Sequence, residues 1–575
     1  MRGEPAGGVE DATWGCGVIR PGDVPASGQR DYDLVIVGSG AGALIGALKA
    51  KALGLSSIIV EKQSKVGGST GLSGGVLWIP ISPVLDREGV QDSHDLAWTY
   101  LTNLVGEDGG RGSTPERWRA FLAEGPEMVR FLEDRGIPFK HCAYRSDYHD
   151  ELPGGLVEGR SIESELVDGH ILGPWYDHLH GTANPYPLMT SEMRYILLAQ
   201  ARLKGAAMVG RMLYRMAKQR ILGKHYLGLG AALVTRLLRL VLDAGVPVVI
   251  DMPMEQLLTD DGRVTGVRCS RNGERFEFHA RHGVLLAAGG FSHSARMREQ
   301  HGPTPSSTAW TASNPGDTGE VMEQAVELGA ATDKMDFAWW IPTSILPSGQ
   351  RAFCAAELAK PGCIGVDQSG ERFGNEAGSY VATGMSMYAR QKASPAVPCW
   401  AIMDHRNRSR YAWAGRLPFQ TPKEWFTSGY MKRADTIEDL ARLCGIDASQ
   451  LSATVSRWND LVDKGRDEDY GRGDRNYDSY YADPFHRPSP TLGRIDKGPY
   501  YAVKFFPGDV GTAGGLVCDE NARVLRDDGT AIDGLYAAGN IAAPTFGATY
   551  PGAGASIAPS AVFGFIAAKA VASSG

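Results

Sequence analysis

Residues 546–556, with the sequence FGATYPGAGAS, place a single tyrosine in a loop made almost entirely of glycine, alanine and other small residues. Small residues let the backbone approach a neighbouring molecule closely and leave its N–H groups able to donate hydrogen bonds. Tyr550 adds a phenol, which is a directional O–H donor. The loop is therefore predicted to lie against a cofactor or a ligand.

A second group of residues has the spacing of a phosphate-binding turn. The sequence DLVIVGSGAGALIGALKAKALGLSSIIVEK (33–62) predicts a buried strand, a glycine turn, an apolar-faced helix and a second strand. Gly38 permits the tight turn, Gly40 lets the backbone approach a pyrophosphate, and Ala43 lets the helix pack closely. The pyrophosphate is expected to lie at the helix N-terminus. The acid after the second strand is expected to accept a hydrogen bond from a ribose hydroxyl. The predicted dinucleotide contacts here are Gly38, Gly40, Ala41, Gly42, Ala43, Glu61 and Lys62.

The residues that follow favour FAD over a nicotinamide cofactor. The segment KQSKVGGSTGLSGGVLWIP (62–80) resembles the loop that lies along the pyrophosphate and flavin in FAD-linked flavoproteins. Two later strands, in HGVLLAAGGF (282–291) and GLYAAGNIAAP (534–544), end in small residues, as strands of a doubly wound sheet do beside a cofactor. Further predicted FAD contacts are Gly68, Ser69, Thr70, Ser73, Gly74, Gly75, Ala288, Gly289, Gly539, Asn540, Ser556 and Ile557.

The wide separation of these strands predicts the domain organisation. We expect an α/β fold in which a Rossmann-like FAD-binding domain, built from both ends of the chain, carries an inserted α+β catalytic domain. The predicted parts are a flexible extension (1–30), the first part of the FAD domain (31–300), the catalytic domain (301–480) and the last part of the FAD domain (481–575).

Composition excludes several other classes of protein. A chain of 575 residues is long enough for two or more domains, and its net charge of −7, without a zinc-finger, basic-helix or RNA-binding motif, argues against a nucleic-acid partner. The eight cysteines show no C-x-x-C or Cys/His pair at metal spacing, so we expect free thiols in a reducing cytoplasm and no metal. No secretory signal and no apolar run of ~18–20 residues is present, so no membrane span is expected.

A series of stretches along the chain resembles one family, the 3-ketosteroid Δ1-dehydrogenases within the fumarate reductase/succinate dehydrogenase flavoprotein group. The stretches are IVGSGAGA, GGSTGLSGGVLWIP, YRSDYHDELPGG, LAAGGF, MDFAWWIP, RFGNEAGSY, RWNDLVDKGRDEDYGRGD, GTAGGL, GLYAAGN and TYPGAGASI, in that order. The resemblance implies an FAD enzyme that removes a hydride from C1 and a proton from C2 of a 3-oxosteroid A ring. It also implies an external electron acceptor, a quinone or another oxidant.

The resemblance also implies roles for particular residues. Tyr550 O–H and the Gly554 N–H match the family's pair of donors to the C3 oxygen, where enolate charge develops. Tyr380, in NEAGSY, matches the base for the C2 proton, although a phenol with a pKa near 10 needs help to act at neutral pH. Tyr148, in SDYHDE, would hydrogen-bond to it and help carry the proton away. His149 stands where the family more often has an aromatic residue, which leaves the exit of the proton open.

Several alternatives remain open at this point. Fumarate reductases of this group carry a dicarboxylate-clamping arginine where this chain has Tyr550, and a phenol cannot bind a carboxylate bidentately, so a ketone is favoured. A 3-ketosteroid 4(5α)-dehydrogenase, a fumarate reductase-like flavoprotein and a non-catalytic membrane-surface module on an FAD fold stay as alternatives. Trp339 and Trp340 could line a flat apolar pocket or serve only in packing.

The segment 170–225 lies outside the matching stretches. Its part 196–224 contains no acid, and its cations are Arg202, Lys204, Arg211, Arg215, Lys218, Arg220 and Lys224. Lys204, Arg211, Arg215 and Lys218 have the spacing of one helical face. A basic amphipathic helix in an acidic protein is typical of a membrane-surface element, so we expect a cytoplasmic protein held peripherally at the inner face of the cell membrane. A helix packed on its own domain or in an oligomer interface is the alternative.

Overall fold

The fold is given by a computed structural model, which describes residues 20–26, 30–107, 109–184, 186–196, 203–417 and 420–574. Most of the predicted extension 1–30 lies outside the described residues, as do Cys16 and Arg202.

The strands and helices follow one another along the whole described chain. The strands are β1 (Asp31–Val37), β2 (Ser57–Val60), β3 (Val76–Trp78), β4 (Phe139–His141), β5 (Ser161–Ser164), β6 (Val167–Asp168), β7 (Tyr226–Leu227), β8 (Val248–Val249), β9 (Met254–Asp260), β10 (Arg263–Arg271), β11 (Glu274–Leu286), β12 (Thr332–Asp333), β13 (Ala338–Ile345), β14 (Arg351–Phe353), β15 (Cys363–Val366), β16 (Cys399–Met403), β17 (Met431–Ala434), β18 (Tyr500–Thr512), β19 (Gly515–Leu516), β20 (Arg523–Leu525) and β21 (Ala531–Ala537). The helices are α1 (Ala41–Ala52), α2 (Gly68–Leu72), α3 (Pro83–Arg87), α4 (His94–Val105), α5 (Pro115–Glu133), α6 (Thr190–Ile196), α7 (Leu203–Ile221), α8 (Leu229–Asp243), α9 (Ala295–His301), α10 (Glu320–Glu327), α11 (Ala355–Leu358), α12 (Tyr380–Gln391), α13 (His405–Arg410), α14 (Lys423–Thr427), α15 (Ile437–Cys444), α16 (Ala448–Lys464) and α17 (Ile557–Ser573). Short 3-10 helices lie at Gly169–His178, Thr308–Trp310 and Tyr477–Ser479.

The first sheet joins strands from both ends of the chain. Its order is β20-β21-β11-β1-β2-β8, and β9 and β10 extend β11 in an antiparallel arrangement. β1 runs parallel to both neighbours, with Val37 opposite Val60 on one side and Leu286 on the other, and Leu286 is in turn opposite Ala537 of β21. The carboxyl ends of these four strands therefore meet at one edge, where a parallel sheet binds its ligand. The predicted α/β fold with a Rossmann-like sheet is confirmed.

Helices α1 and α17 cover one face of this sheet and touch each other backbone to backbone. A Cβ added at Gly42 would lie 2.6 Å from the Ser560 carbonyl oxygen, and one at Gly564 would lie 2.2 Å from the Gly42 carbonyl oxygen. Glycine at these two positions is therefore required by helix packing.

The second sheet is antiparallel, with the order β14-β13-β18-β16-β15 and β17 paired to β18. Helices α15 and α16 pack on it around a separate apolar cluster that includes Trp400 and Trp458. The apolar core of the first sheet includes Val321 and Ala325 of α10, and the second sheet takes its central strand from residues 500–512. The boundaries expected at residues 301 and 480 stay a prediction.

The predicted basic helix is present as α7, which contacts α6. Arg215 on α7 forms a two-pronged ion pair with Glu192 of α6, at 2.6 and 2.8 Å. This pair attaches α7 to the rest of the protein and neutralises one of the predicted cations. In the part of the chain that the structure describes, no helix is both long enough and apolar enough to cross a bilayer.

Candidate active site

A cavity of about 600 Å³ lies at the edge where the parallel strands end, and strands β13 and β18 of the second sheet also contribute to its wall. Sixteen of the residues predicted to contact FAD line it: Gly38, Gly40, Glu61, Lys62, Gly68, Ser69, Thr70, Ser73, Gly74, Gly75, Ala288, Gly289, Gly539, Asn540, Ser556 and Ile557. The predicted contacts Ala41, Gly42 and Ala43 do not line the cavity, because they are buried in the first turn of α1.

The turn between β1 and α1 has the geometry that a pyrophosphate requires. Gly38 has a φ of 99°, and a Cβ there would lie 2.4 Å from the Ala287 carbonyl oxygen, so only glycine fits. At Gly40 an added Cβ would meet only the Thr70 hydroxyl oxygen, 3.7 Å away. Packing therefore does not require glycine at position 40. Because Gly40 has no side chain, the cavity has room at the N-terminus of α1, where a phosphate is favoured.

Glu61 stands at the carboxyl end of β2 with its side chain almost completely buried. Its carboxylate accepts hydrogen bonds from the Ser39 hydroxyl at 2.6 Å and from the Gln63 amide at 2.9 Å. Burial raises the pKa of Glu61, and the Ser39 hydrogen bond opposes that rise. A carboxylate fixed in this way can accept hydrogen bonds from ribose hydroxyls, as the position after the second strand predicted.

A loop that the sequence reading did not select completes this half of the cavity. Ser69 donates to the Asp317 carboxylate at 3.0 Å and accepts from the Asn314 amide at 2.9 Å, so the segment around residue 314 closes on the predicted loop. Burial raises the pKa of Asp317 to about 7. The glycines of NPGDTG before α10 were the signal that could have identified it. Lys62 lines the cavity, but its ammonium group is held by Glu320 at 2.5 Å.

The predicted catalytic tyrosines, which lie far apart in the sequence, form one cluster. The ring centroids of Tyr148 and Tyr380 are 5.4 Å apart, those of Tyr148 and Tyr550 are 5.4 Å apart, and those of Tyr380 and Tyr550 are 5.6 Å apart. Tyr380 and Tyr550 line the cavity, whereas Tyr148 lies behind them and is completely buried. The arrangement gives two phenols that can touch a ligand and a third that lies against them but does not line the cavity.

Hydrogen bonds to the backbone of the glycine-rich loop hold this cluster together. The Tyr148 amide donates to the Pro551 carbonyl at 2.9 Å, and the Tyr100 phenol donates to the same carbonyl at 2.7 Å. The Ser161 hydroxyl donates to the Ala553 carbonyl at 2.9 Å. Tyr380 is the first residue of α12, so its direction is set by the start of a helix.

Gly554 and Tyr550 lie on the cavity side of that loop. Gly554 has a φ of 92°, and a Cβ there would lie 2.2 Å from the Val76 carbonyl oxygen, so no other residue fits. The Tyr550 phenol is 3.2 Å from the Ser556 hydroxyl, which holds it at the wall. A phenol O–H and a backbone N–H on the same wall can both donate to one ligand oxygen.

The burial of Tyr380 and Tyr148 changes the pKa values of their phenols. Burial raises the pKa of Tyr380 well above its ordinary value, and the neighbouring Tyr148 and Tyr550 add to the rise. Burial also raises the pKa of Tyr148 to about 12, while the guanidinium of Arg145 opposes that rise. Neither phenol can lose its proton easily without a nearby positive charge.

Comparison with known proteins shows the family of this chain. The FAD binding domain family matches residues 33–557. The 3-oxosteroid 1-dehydrogenase of Mycobacterium tuberculosis (strain ATCC 25618 / H37Rv) is 42% identical over 561 residues, which cover 94% of this chain and 98% of that protein. That of Mycolicibacterium smegmatis is 40% identical over 564 residues, 94% of this chain and 97% of that protein. The chain is a member of the 3-oxosteroid 1-dehydrogenase family. Its cofactor is FAD.

A solved structure supports the same assignment. The 3-ketosteroid Δ1-dehydrogenase of Sterolibacterium denitrificans, in complex with 1,4-androstadiene-3,17-dione, superposes with a TM-score of 0.88 at 36% identity. The superposition covers 95% of this chain and 100% of that chain. The resemblance, the fold and the flavoprotein oxidoreductase class predicted from the sequence are therefore confirmed, while the roles of individual residues stay predictions.

The tandem tryptophans of this 3-oxosteroid 1-dehydrogenase family member belong to the packing around the cavity. Trp339 donates to the Asn540 side chain at 3.0 Å and meets the Tyr550 ring edge-on at 5.3 Å. Trp340 packs against Tyr388, with ring centroids 5.0 Å apart. Neither lines this cavity, but Trp339 lines a small second cavity together with Gly539, Asn540 and Ser556, so both alternatives stay predictions.

His149 and the surrounding acids form no metal site. The His149 amide donates to the Tyr100 phenol at 3.3 Å, and its ring lies 3.8 Å from Glu151. Among the described residues no group of three or more His, Cys, Asp or Glu side chains could hold a metal ion.

Several residues that line the cavity were missed by the sequence reading. They include Arg145, Thr190, Met193, Ile341, Phe353, Tyr480, Tyr481 and Val510. The tandem tyrosines of SYYADPF were a visible signal, but nothing in the sequence placed them next to SDYHDE.

Proposed function

We propose that this protein introduces a 1,2 double bond into the A ring of a 3-ketosteroid, with FAD as the acceptor of the hydride. The observation that carries the proposal is the cluster of Tyr148, Tyr380 and Tyr550, of which Tyr380 and Tyr550 line the same cavity as Gly554 and the predicted FAD contacts. Proton abstraction next to a carbonyl requires donors to the carbonyl oxygen and a base at the neighbouring carbon, and this cluster provides both.

The apolar side chains of the cavity wall suit a neutral, flat substrate. Ile341, Phe353 and Val510 contribute apolar side chains, and the cavity's cations are already engaged. The Lys62 ammonium is held by Glu320, and the Arg145 guanidinium donates to two phenols. A dicarboxylate substrate would need a free guanidinium fork, so the fumarate reductase alternative is disfavoured.

Each residue of the cluster has a proposed role in the reaction. Tyr550 O–H and the Gly554 N–H donate to the C3 oxygen and stabilise the negative charge that develops there. Tyr380 takes the C2 proton, and Tyr148, in contact with Tyr380 but not with the cavity, assists that transfer. When bound, FAD supplies a two-electron acceptor at N5 for the C1 hydride. The donors are preorganised on a fixed loop, which is the arrangement that lowers a barrier most effectively.

Product analysis tests this proposal against its nearest rival. Purified enzyme is supplied with an artificial electron acceptor and a saturated 3-ketosteroid, and the position of the new double bond is determined by NMR and mass spectrometry. We expect a 1-ene product, and from a 4-ene-3-ketosteroid a 1,4-diene. A 4-ene product from the saturated steroid, with no 1-ene, would instead establish a 4(5α)-dehydrogenase.

We also propose that α7 contacts a membrane surface. At about 100° per residue, Leu203, Tyr214 and Ile221 fall in the middle of the outward face, and all three are strongly exposed, at 90%, 65% and 83%. Exposed Leu213 widens this apolar stripe. The exposed cations flank the stripe, with Arg220 on one side and Lys204, Arg211 and Lys218 on the other. An apolar stripe between rows of cations suits the boundary between acyl chains and anionic headgroups.

A membrane position would also suit the redox partner. The flavin must be reoxidised after each turnover, so the proposal includes an external electron acceptor, a quinone or another oxidant. Steroids and quinones both partition into lipid, so α7 would hold the enzyme where both reactants are concentrated.

A further inference from the structure

Arg145 is a buried cation whose partners are phenols. Its side chain is about 6% exposed, and its Nη2 donates to the Tyr148 phenol at 3.1 Å and to the Tyr481 phenol at 3.3 Å. The guanidinium carbon also lies 4.9 Å from the centre of the Tyr480 ring. Its Nε has no hydrogen-bond partner among the described residues. The charge therefore faces a cluster of ionisable O–H groups and one end of the cavity.

Other buried arginines in the described chain have different hydrogen-bond and ion-pair partners. Arg160, Arg298 and Arg372 each pair with at least one carboxylate at 2.9 Å or less. Arg117 and Arg408 donate to backbone carbonyls or threonine hydroxyls. No described carboxylate lies within ion-pair distance of Arg145. Burying a cation that has only neutral hydrogen-bond partners is costly, and the cost falls when a neighbouring phenol becomes a phenolate.

We propose that Arg145 is a positioning residue for the proton transfer, holding Tyr148 as the group that receives the proton from Tyr380. This inference rests on the proposed function. In the form of the enzyme in which Tyr148 is ionised, which Arg145 favours, the C2 proton goes to the Tyr380 oxygen as the C2–H bond breaks, and the proton that Tyr380 carried goes to the Tyr148 phenolate. The electron pair of the C–H bond moves onto the C3 oxygen, which Tyr550 and Gly554 hold. Arg145 acts on this step only through Tyr148.

The ionisable groups around the pair are few. Facing Tyr148 and Arg145 are the phenols of Tyr380, Tyr477, Tyr480, Tyr481 and Tyr550, the thiol of Cys142 and the carboxylate of Glu163. Glu163 is itself engaged by the amides of Thr190 and Ser191, at 2.7 and 3.3 Å, at the start of α6. Among these groups Arg145 supplies the positive charge, and it donates a hydrogen bond directly to the Tyr148 phenol. The guanidinium opposes the rise that burial gives to the pKa of Tyr148.

The test measures the ionisation of Tyr148 without any substrate. A difluorotyrosine, whose phenol is more acidic than that of tyrosine, is incorporated at position 148 and titrated by fluorine NMR in the FAD-loaded enzyme. In the Arg145→Met variant we expect the midpoint to rise by about one pH unit or more, and in Arg145→Lys to rise less. An unchanged midpoint in Arg145→Met would overturn the proposal, whatever the steroid activity of the protein.

A kinetic measurement separates this role from a purely structural one. Below the midpoint, kcat of Arg145→Met should be at least ~10-fold lower than that of the wild type at equal pH and should recover as the pH is raised. In a Tyr148→Phe background, the same substitution should have little further effect on kcat. A loss of kcat that is equal at every pH, or that adds fully to the loss caused by Tyr148→Phe, would contradict the proposal. FAD content and circular dichroism identify variants that fail to fold, and Arg145→Lys then remains for the titration.

Discussion

The backbone amide of Tyr148 donates to the carbonyl of Pro551 at 2.9 Å, so the residue behind the cluster is tied to the loop that carries Tyr550. Tyr148 and Tyr550 are 402 positions apart in the sequence, yet the centroids of their rings lie 5.4 Å apart. The proposed base assistant and the proposed carbonyl donor are therefore fixed to one segment of backbone. A shift of that segment would move both groups together.

Removing the phenol of Tyr380 should affect the reaction more than removing that of Tyr148. Tyr380 lines the cavity, whereas Tyr148 acts from behind it. We expect Tyr380→Phe to lower kcat by about 10²–10⁴-fold and Tyr148→Phe by a smaller factor, with FAD retained in both. Steady-state kinetics with a 4-ene-3-ketosteroid would measure this. Tyr388→Phe, on the same helix but packed against Trp340, is the control and should keep normal kcat. A Tyr380→Phe variant with wild-type kcat would rule out the proposed base.

Two glycines of the phosphate-binding turn should separate cofactor affinity from folding. Gly40→Ala places a methyl group in the cavity without a backbone clash, so the protein should fold and bind FAD about 10-fold or more weakly. Gly42→Ala would press against the Ser560 carbonyl and should lower the free energy of unfolding by about 1–3 kcal/mol. FAD titration and thermal unfolding distinguish the two effects. Equal FAD affinity in Gly40→Ala and the wild type would place the pyrophosphate elsewhere.

Gly554 should tolerate no side chain because an added Cβ would clash with the backbone. Gly54, where an added Cβ would not clash, is the control. Gly554 and Gly54 both have positive φ angles, 92° and 84°, but an added Cβ meets the Val76 carbonyl at 2.2 Å in the first case and nothing within 4 Å in the second. We expect Gly54→Ala to cost about 1 kcal/mol of stability and leave kcat unchanged. Gly554→Ala should displace the loop and abolish turnover, as measured by kinetics alongside Tm. Normal turnover in Gly554→Ala would contradict the requirement for glycine at this position.

The membrane proposal predicts that α7 governs binding to lipid vesicles. Leu213→Ser combined with Ile221→Ser removes two exposed apolar side chains from the stripe, each of which contributes about 1.5–3 kcal/mol when it enters an apolar phase. In a flotation assay with anionic vesicles, we expect the variant to bind at least ~10-fold more weakly than the wild type. Leu443→Ser, which changes an exposed leucine on α15, is the control. Equal recovery of all three proteins with the vesicles, or no flotation of the wild type, would refute the proposal.

The cofactor half of the fold was predictable because its signal is local. The strand, glycine turn and helix of residues 33–52 follow from one continuous stretch, and Glu61 follows at a fixed distance along the chain. Strands β11 and β21 were identifiable because parallel strands that meet a cofactor end in small residues. The helix α7 was predictable from its charge pattern, although its ion pair between Arg215 and Glu192 was not.

The other half depends on contacts between distant segments. Tyr148 and Tyr380 were found only through the resemblance to a family, and no spacing rule joins them to Tyr550. Arg145 and Asp317 look like ordinary surface residues in the sequence, yet both are buried beside the cavity. For Trp339 and Trp340 the sequence left pocket lining and packing both open, because aromatic residues serve both roles.

The most direct test of the central claim is an anaerobic half-reaction followed by the absorbance of the flavin. The FAD-loaded protein is mixed with a 4-ene-3-ketosteroid and, separately, with succinate. We predict that the flavin is bleached by the steroid and not by succinate, and that Tyr550→Phe slows bleaching by about 10²–10³-fold while it keeps its FAD. Bleaching by succinate alone, or no bleaching by any 3-ketosteroid in a protein that holds FAD, would contradict the account.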